Sequence, residues 1–553
     1  MSTHTKLPLL AALRKAFFLS QKSAATGKPL TELIEESRSN QLHRRRFIGD
    51  VAKAGVALSA AGLLQGCRKA ADLFEAPPPV LPEPAYRKSQ PSIVILGAGI
   101  AGLNCAYQLQ KSGYAATVYE ASGRVGGRIW TEKGVIAPGV TTELGGEFID
   151  TEHKDMLQLC HAFGLPLLDT LSKEEASLLR DSFYINGRFY TEEEVILAFA
   201  PYQKRIAADI RSLPAEMTFE DHRAPTAHFD HLSISAYLDS IGMTGFLRTG
   251  IEVAYLTEYG LENSLQSSIN FLYLFSANTA QGFQIFGSSD ERYKIKGGNQ
   301  RVTDALYERV KSNVHTGHEL LRIKEKSSGY ELLFRTGGST VSVAADMVVC
   351  TLPFSVLRHL ELQVALPDWK TNAIQNLGYG TNAKLFLGFS DRVWRRQGHS
   401  AYVFTDSHIQ TGWDNTQLQE GTAGGFTVYQ GGIKGVQLGE GSPQAQAPKF
   451  VAQLEKLWPG CAASYTGVAK RMQWPDYTYA KGSYACYTVG QYTTIRGAEG
   501  KAVGNLFFAG EHCSAYFQGF MNGAAETGRM AAEEVVKAVK KKRVAVMEGV
   551  GIN

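Results

Sequence analysis

Cysteine is scarce in this 553-residue sequence, and its spacing shows no bridged or metal-bound framework. The seven cysteines stand at positions 67, 105, 160, 350, 461, 486 and 513, and no two form a CxxC pair. No group of His, Cys and Asp residues has the spacing of metal ligands. The sequence therefore excludes a disulfide scaffold and predicts no metal. Most of the cysteines are interpreted as small buried apolar residues.

The sequence also lacks a strong excess of charge of either sign. The formal net charge is +4, but residues 1–66 hold ten Lys or Arg against four Asp or Glu, a net of +6. The remaining residues therefore carry −2. This balance predicts neither a nucleic acid nor an anionic surface as the partner of the main body of the chain.

The N-terminal region has an apolar run that is too short to cross a bilayer. This run, Ala54–Leu64, follows Arg44-Arg45-Arg46-Phe47-Ile48, which is typical of a twin-arginine export signal. We therefore predict an export leader over 1–66 and a proline-rich linker over 67–90. The competing interpretation is a basic patch before a buried helix.

The segment that ends the leader leaves open whether Cys67 carries a lipid anchor. Leu64-Gln-Gly-Cys67 resembles a lipoprotein processing site, but Gln65 departs from the usual small or apolar residue. The expected location is therefore the bacterial periplasm, with the protein either released there or tethered to a membrane.

A glycine-rich loop at 97–102 is the first feature that points to a ligand. The sequence Gly-Ala-Gly-Ile-Ala-Gly follows the apolar run 92–96 and opens a predicted helix from Ile100 to Ser112. Gly97 permits the tight turn, Gly99 lets backbone N–H groups approach a pyrophosphate, and Gly102 lets helix and strand pack closely. The positive end of the helix, at Ile100 and Ala101, faces the anion.

A second strand and a second glycine turn indicate which dinucleotide binds. The strand 115–119 ends at Glu120, whose carboxylate can accept hydrogen bonds from an adenosine ribose. The turn Ala121-Ser-Gly-Arg124-Val-Gly-Gly127-Arg128 follows, with two guanidinium groups that suit a permanently held flavin dinucleotide.

Further motifs resemble those of the flavin-dependent amine oxidases, the monoamine and polyamine oxidases, over most of residues 91–540. They are Glu143–Asp150, Lys296–Arg301, Val348–Pro353, Phe508–His512 and Gly519–Ala524. The resemblance implies an α/β fold: a discontinuous Rossmann-like FAD-binding domain with an interleaved α+β substrate domain. We expect the FAD domain at 91–150, 290–365 and 495–540, and the substrate domain at 151–289 and 366–494.

The resemblance also implies which residues contact FAD. Leu320 is expected to meet adenine through its backbone, Glu511 and the backbone of Gly510 to lie near the ribityl and pyrophosphate groups, and the Met521 N–H to lie near the flavin pyrimidine. The remaining residues expected at the cofactor are Gly145, Gly146, Glu147, Phe148, Gly519 and Phe520.

Three residues carry the expected catalytic roles. Tyr484 and Phe520 are expected to form the aromatic walls of the substrate pocket, with Phe520 standing where the family frequently has tyrosine. Lys370 is expected to be the lysine that is bridged by water to the flavin. Ser483 stands where animal monoamine oxidases carry the flavin-linked cysteine, so we expect FAD to be bound without a covalent bond. His512 is interpreted as a packing residue.

The resemblance therefore predicts an FAD-dependent oxidase of a small-molecule amine that reduces O2 to hydrogen peroxide. An L-amino-acid oxidase or tryptophan 2-monooxygenase-like enzyme is the nearest alternative. Those enzymes need a cation for the substrate carboxylate, commonly at the position of Glu147, and an acid there argues against them. A carotenoid- or porphyrinogen-type desaturase shares the first glycine motif but is expected to lack the aromatic pair and the late lysine. The sequence is also compatible with a tethered, non-catalytic flavoprotein that binds a partner.

Overall fold

The computed structural model describes residues 19–20, 22–23, 27–34, 90–175, 177–214, 216–273 and 290–550. The predicted twin-arginine motif, the run Ala54–Leu64 and Cys67 lie outside the described residues. Within these ranges, no helix combines the length and the hydropathy needed to cross a lipid bilayer.

A five-stranded, fully parallel sheet contains the first glycine loop. Its central strand, Ile93–Leu96, is buried along its whole length, as expected for a strand covered on both faces. In spatial order the strands are Leu506–Phe508, Met347–Cys350, Ile93–Leu96, Ala116–Tyr119 and Val314–His315.

Four helices pack beside this sheet and beside one another. The helix Ile100–Lys111 packs against Met521–Val550 and Gln300–Val310, and Lys154–Ala162 packs against Met521–Val550. In Gln300–Val310 the buried residues Val302, Leu306 and Val310 recur every four positions, which gives the helix one apolar face.

A seven-stranded sheet, which we call the chamber sheet, forms the second large layer. In spatial order its strands are Tyr465–Gln473, Ala383–Phe389, Gly424–Gln430, Thr411–Asp414, His399–Thr405, Leu179–Ile185 and Arg188–Tyr190. Side chains alternate along Ala383–Phe389: Leu385 and Leu387 pack with Phe450 of the helix Pro443–Leu457, whereas Lys384 lies on the opposite face. This alternation directs a lysine into the interior.

The remaining strands among the described residues form three smaller sheets. One has the spatial order Ser339–Ala345, Tyr330–Thr336, Glu319–Glu325 and Glu361–Gln363. The two others are the pairs Thr131–Lys133 with Thr141–Glu143, and Leu167–Asp169 with Tyr293–Ile295.

The described chain has further helices besides those already given. They are Glu192–Phe199, Gln203–Ser212, Ala224–Asp230, Ile234–Ser240, Gly245–Tyr259, Ser268–Leu272, Phe354–Leu357, Asp368–Asn376, Val393–Arg396, Gly432–Gln437, Cys461–Ser464 and Gln491–Thr494.

The predicted fold class is confirmed: a parallel α/β layer combines with a mixed-sheet layer. One local prediction needs correction. The second strand begins at Ala116, one residue later than predicted. Within the segment 151–289, the strands Leu179–Ile185 and Arg188–Tyr190 extend the chamber sheet. Leu179–Ile185 pairs with a strand more than two hundred residues away, which local periodicity does not reveal.

Gly102 allows the helix Ile100–Lys111 to rest on the strand before it. A Cβ at this position would lie 2.0 Å from the Gly97 carbonyl oxygen, which is backbone and cannot swing aside. We therefore expect Gly102→Ala to lower the free energy of unfolding by about 1–3 kcal/mol or more, measured by urea denaturation.

The matched control is Gly123→Ala, since a Cβ at Gly123 would meet no atom within 4 Å. This variant should stay within about 0.5 kcal/mol of the parent. Equal stability of the two variants would contradict the packing role of Gly102.

Candidate functional site

A cavity of about 580 Å³ runs between the parallel sheet and the chamber sheet. Its volume is in the range of sites that bind small molecules and cofactors. One end, the dinucleotide end, is lined by Gly97, Gly99, Ile100, Glu120 and Arg124. The other end, the aromatic chamber, is lined by Phe148, Tyr402, Trp413, Tyr429 and Tyr484.

The cavity brings together most of the residues that the sequence predicts. Only Gly102 and Lys370 are missing from its lining. The predicted residues that line it are Gly97, Gly99, Ile100, Ala101, Glu120, Ala121, Arg124, Gly127, Arg128, Gly145, Gly146, Glu147, Phe148, Leu320, Tyr484, Gly510, Glu511, Gly519, Phe520 and Met521.

The dinucleotide end has the features of an anion site. The helix Ile100–Lys111 begins after Gly99, and no side chain caps its first turn. Its backbone N–H groups and its positive dipole end therefore face the cavity. A Cβ on Gly99 would meet only the Gly127 Cα, at 3.9 Å, so there is space beside the loop. A pyrophosphate fits this cradle.

Glu120 holds the two glycine loops together. Its carboxylate accepts hydrogen bonds from the Ala98 N–H at 2.8 Å, the Ser122 N–H at 2.9 Å and the Ser122 hydroxyl at 2.8 Å. A carboxylate offers roughly four acceptor positions. It therefore retains capacity for the ribose hydroxyl that the sequence analysis assigns to it.

The two arginines of the second glycine turn contact protein carbonyls. Arg124 donates to the Gly127 and Ile129 carbonyls, each at 2.7 Å, and its guanidinium lies 4.2 Å from the Trp130 ring centroid. Arg128 donates to the Ser483 carbonyl at 2.9 Å. The Arg124 guanidinium therefore closes its own turn and also lines the cavity.

Glu511 joins three separate segments around the cavity. Its carboxylate accepts hydrogen bonds from Arg128 at 2.8 Å, from the Gly519 N–H at 2.8 Å and from the Ala485 N–H at 3.3 Å. The second glycine turn, the segment that carries Tyr484 and the loop before Met521 are thereby fixed relative to one another.

A Cβ on Gly146 would lie 2.7 Å from the Met521 Cγ, so the glycine permits a close contact there.

The aromatic chamber has a continuous aromatic wall. Trp413 lies 5.9 Å from Phe148, 5.7 Å from Tyr402 and 5.4 Å from Tyr429, measured between ring centroids. Tyr402, Trp413 and Tyr429 all come from the chamber sheet. Such a wall favours apolar groups, and the faces of its rings attract cations.

Tyr484 is held by its hydroxyl group. This hydroxyl donates to the Glu258 carbonyl at 2.7 Å and lies 2.9 Å from the hydroxyl of Tyr429. Burial raises the pKa of Tyr484 well above its ordinary value, and the neighbouring Tyr429 adds to the shift. The residue is therefore neutral and presents its ring to the cavity.

Phe520 lines the cavity and packs against a buried histidine. The His153 ring lies 5.0 Å from the Phe520 ring in an edge-to-face arrangement. The His153 Nδ1 accepts a hydrogen bond from the Asp150 N–H at 2.9 Å, and its Nε2 lies 3.3 Å from the Asp150 carboxylate. Asp150 also lines the cavity and accepts from the Glu291 N–H at 3.0 Å.

Glu147 is part of a buried ion triad rather than an isolated acid. Its two oxygens lie 3.3 Å from the Lys294 Nζ and 3.0 Å from the Lys384 Nζ. Burial alone would raise the pKa of Glu147, but attraction to Lys384 and Lys294 outweighs it and lowers the pKa. The argument that this acid repels a substrate carboxylate needs correction, because the triad as a whole has one excess positive charge.

Further charged groups of the chamber are acidic. Glu258 and Glu291 line the cavity, and Glu258 stands near the C-terminal end of the helix Gly245–Tyr259. The C-terminal end of a helix carries partial negative charge. This part of the cavity therefore attracts cations.

Lys370 is buried away from the cavity, contrary to the expected role at the flavin. Its ammonium donates to the Ala498 and Glu499 carbonyls, at 2.5 and 2.8 Å, and lies 3.8 Å from the Phe508 ring centroid. Burial lowers the pKa of Lys370 to about 8. Its helix, Asp368–Asn376, directs this side chain into the core.

His512 is buried against Phe354, with ring centroids 4.6 Å apart. Burial lowers the pKa of His512 well below its ordinary value, so the ring is neutral. This fits the interpretation of His512 as a packing residue. In the described part of the chain no group of three or more His, Cys, Asp or Glu is arranged to hold a metal ion.

Sequence reasoning missed several cavity residues: Asp150, Glu258, Glu291, Lys384, Tyr402, Trp413 and Tyr429. A signal existed for Lys384, which is the one charged residue in the apolar run Ala383–Phe389 and is buried. Asp150 ends the motif Glu143–Asp150. No comparable signal marks the rest, because long-range pairing brings them to the cavity.

The residues present fit a flavin dinucleotide. The uncapped helix start and the open space at Gly99 suit a pyrophosphate, and Glu120 retains acceptor capacity for a ribose. The same cavity continues to the start of the helix Met521–Val550 and the aromatic chamber. A long, extended ligand can therefore span both ends.

Comparisons with known proteins agree with this site. Residues 100–536 match the family model described as flavin containing amine oxidoreductase. The flavin-dependent L-tryptophan oxidase RebO of Lentzea aerocolonigenes is 26% identical over 480 residues, covering 81% of this chain and 98% of that protein. Polyamine oxidase 2 of Arabidopsis thaliana is 25% identical over 462 residues, covering 80% of this chain and 88% of that protein.

Solved structures show the same fold. The cyclohexylamine oxidase of Brevibacterium oxydans IH-35A superposes with a TM-score of 0.70 at 20% identity, covering 82% of this chain and 100% of that chain. A putrescine oxidase bound to putrescine superposes with a TM-score of 0.69 at 21% identity, covering 81% of this chain and 99% of that chain. Since the family model spans most of the sequence, this chain belongs to the flavin-containing amine oxidoreductase family.

Proposed function

We propose that this protein is an FAD-dependent amine oxidase, which oxidises a primary or secondary amine and reduces O2 to hydrogen peroxide. Membership of the family supports a flavin-dependent oxidoreductase that acts on CH–NH groups. When bound, the flavin supplies the two-electron acceptor and passes the electrons to O2.

The charge of the aromatic chamber is the observation that favours an amine over an amino acid. Glu258, Glu291 and Asp150 line the cavity. Among the described residues, Lys384 is the one cation that the chamber sheet contributes to the lining, and its ammonium is already bound to Glu147. Apart from the Glu147 triad, with its one excess positive charge, a substrate carboxylate would meet carboxylates, whereas an amine meets acidic and aromatic groups.

The chain's own residues then prepare the amine for oxidation. An amine reacts through its neutral form, because an ammonium has no lone pair to assist cleavage of the neighbouring C–H bond. Tyr484 and Phe520 present aromatic rings that exclude water, and desolvation favours the neutral amine. The positive start of the helix Met521–Val550 adds a favourable potential for negative charge that develops beside it.

An L-amino-acid oxidase is the second candidate. RebO is named as an L-tryptophan oxidase, and a 23% identical relative from Pseudechis australis is named as an L-amino-acid oxidase. The excess positive charge of the Glu147 triad is the structural observation that favours this candidate.

We propose that FAD is held without a covalent bond. Ser483 donates a hydrogen bond to the Asn382 side chain at 2.7 Å. Its hydroxyl is a poor substitute for the cysteine sulfur that forms the thioether bond to flavin in covalent flavoproteins. Of the six described cysteines, none lines the cavity.

Pairs of compounds that differ only in a carboxylate separate the two candidates. We expect phenethylamine, tryptamine and isoamylamine to reduce the flavin of the anaerobic holoenzyme, and the matching L-phenylalanine, L-tryptophan and L-leucine to leave it oxidised. The measurement is the flavin absorbance during titration, followed by hydrogen peroxide release in air.

Reduction by the amino acids and not by the amines would establish the amino-acid oxidase. If none of the six compounds, and no member of a wider amine panel, reduced the flavin, the chain would be a binding protein rather than an oxidase.

Lys370 is expected to affect stability rather than turnover. Its pKa of about 8 lies below the usual 10.5, so the folded protein releases this proton more readily than the unfolded chain. The unfolding free energy of the parent should therefore rise by about 1–3 kcal/mol between pH 8 and 10.5 through this group. In Lys370→Met we expect that rise to be absent, with flavin reduction and reoxidation rates unchanged in the folded holoenzyme.

The exposed Lys456 provides the control, because Lys456→Met removes the same charge and should retain the rise. Two results together would support the predicted catalytic role of Lys370 instead. They are a slower reaction of the reduced Lys370→Met enzyme with O2 than of the parent, and an unchanged rise of the unfolding free energy with pH.

We also propose that the protein is exported in folded form. It is then either released into the periplasm or tethered to a membrane by a lipid at Cys67. Arg44 and Arg45, followed by the apolar run Ala54–Leu64, support this proposal. In a bacterium with twin-arginine transport, we expect Arg44→Lys/Arg45→Lys to keep the chain in the cytoplasm, and the control Arg14→Lys to be exported like the parent. Cell fractionation measures this, and equal distribution of both variants would refute it.

A further inference from the structure

A short N-terminal segment is buried in the protein, although it precedes the predicted twin-arginine motif in the chain. We call its described residues the docking segment, and they are 19–20, 22–23 and 27–34. Leu19 is 4% exposed, Leu33 is 1% exposed and Ile34 is 3% exposed. An export signal acts while it is accessible to the transport machinery, so the burial of these side chains needs another explanation.

The docking segment shares an apolar core with the predicted substrate domain. One cluster of buried apolar side chains contains residues of both, namely Leu19, Leu33, Ile34, Phe199, Ile206 and Tyr237. Leu30 is partly buried and packs against the same cluster. Phe199, Ile206 and Tyr237 come from three helices within residues 192–240. The docking segment is therefore packed on this domain and not only on itself.

The docking segment has an apolar face and a polar face. Residues 30–34 are helical. Leu30, Leu33 and Ile34 follow the spacing i, i+3 and i+4, which places them on one side of a helix. Between them in the sequence, Thr31 and Glu32 are exposed. This division is the pattern of a helix that packs on a protein core.

The polar contacts described within the docking segment are local. The Gly27 N–H donates to the Ser23 carbonyl at 2.9 Å, and the Ser23 hydroxyl donates to the Lys28 carbonyl at 2.7 Å. Lys28 also forms an exposed ion pair with Glu32 at 3.1 Å, and such pairs contribute little to stability. Burial of the apolar side chains supplies the attachment to the domain that these local contacts cannot.

We infer that the docking segment is a structural part of the folded protein: the chain's own N-terminal region is the partner of an apolar surface on the substrate domain, and it stays with the protein instead of being discarded with an export leader. Loss of the segment would expose the surface that Leu19, Leu33 and Ile34 cover. Exposed apolar surface of this kind destabilises a protein and promotes aggregation. The inference does not depend on which substrate the protein oxidises.

Hydrogen exchange of the purified full chain tests the docking. We expect the amides of residues 30–34 to exchange on the order of tenfold or more slowly than in a free peptide of residues 19–38. In Leu33→Asp this protection should be lost, because a carboxylate cannot replace a leucine in an apolar core. The midpoint of thermal unfolding should also fall, by about 2 °C or more.

The matched control is Thr31→Asp, which adds the same charge two residues away at an exposed position of the same helix. This variant should retain the slow exchange and unfold at the temperature of the parent. Equal behaviour of the two variants would overturn the inference. So would amides in the parent that exchange as fast as those of the free peptide, a result that remains decisive if Leu33→Asp does not fold.

Mass spectrometry tests whether the docking segment stays with the protein after export. The chain with a C-terminal tag is purified under native conditions from the periplasmic and membrane fractions of a bacterium with twin-arginine transport, and is then digested with trypsin. We expect peptides that contain Leu33 in the same molar amount as peptides from the parallel sheet. Their absence from the exported protein would overturn the inference. Hydrogen exchange needs no export, so failure of the export proposal and failure of this inference can be told apart.

Discussion

The Glu511 carboxylate is the contact on which the arrangement of the cavity depends. It holds Arg128, 383 positions away in the chain, together with the N–H groups of Gly519 and Ala485. These contacts fix the glycine turns of the parallel-sheet layer relative to the segment that carries Tyr484 and to the start of the last helix. Glu511 is almost completely buried, and replacing it by a residue without a carboxylate would leave Arg128 without this partner.

The two ends of the cavity favour ligands of different charge. At the dinucleotide end, backbone N–H groups and the positive end of the helix Ile100–Lys111 favour an anion. In the chamber, aromatic rings, acids and the negative end of the helix Gly245–Tyr259 favour a cation or a neutral amine. The pyrophosphate of the cofactor and the amine are therefore directed to opposite ends of one cavity. Glu147 lies 3.0 Å from the Lys384 ammonium and offsets the positive charge of this lysine in the chamber.

Much of the parallel-sheet layer could be predicted from the sequence, because its signals are local. Gly97, Gly99 and Glu120 stand in an unbroken strand, loop, helix and strand, so their positions follow from chain order. Lys370 shows the limit of this reasoning: a motif located the residue, but the direction of its side chain depends on how the helix Asp368–Asn376 packs. Lys384, Trp413 and Tyr429 meet only through pairing within the chamber sheet, which the sequence analysis did not derive.

The central claim is that one cavity holds a flavin dinucleotide by contacts that are not covalent. The most direct measurement is the flavin content of the purified chain, by absorbance before and after acid precipitation of the protein. The account predicts a yellow protein with one FAD per chain, all of it released into the supernatant as intact FAD. A colourless protein that takes up no FAD on reconstitution would contradict the account.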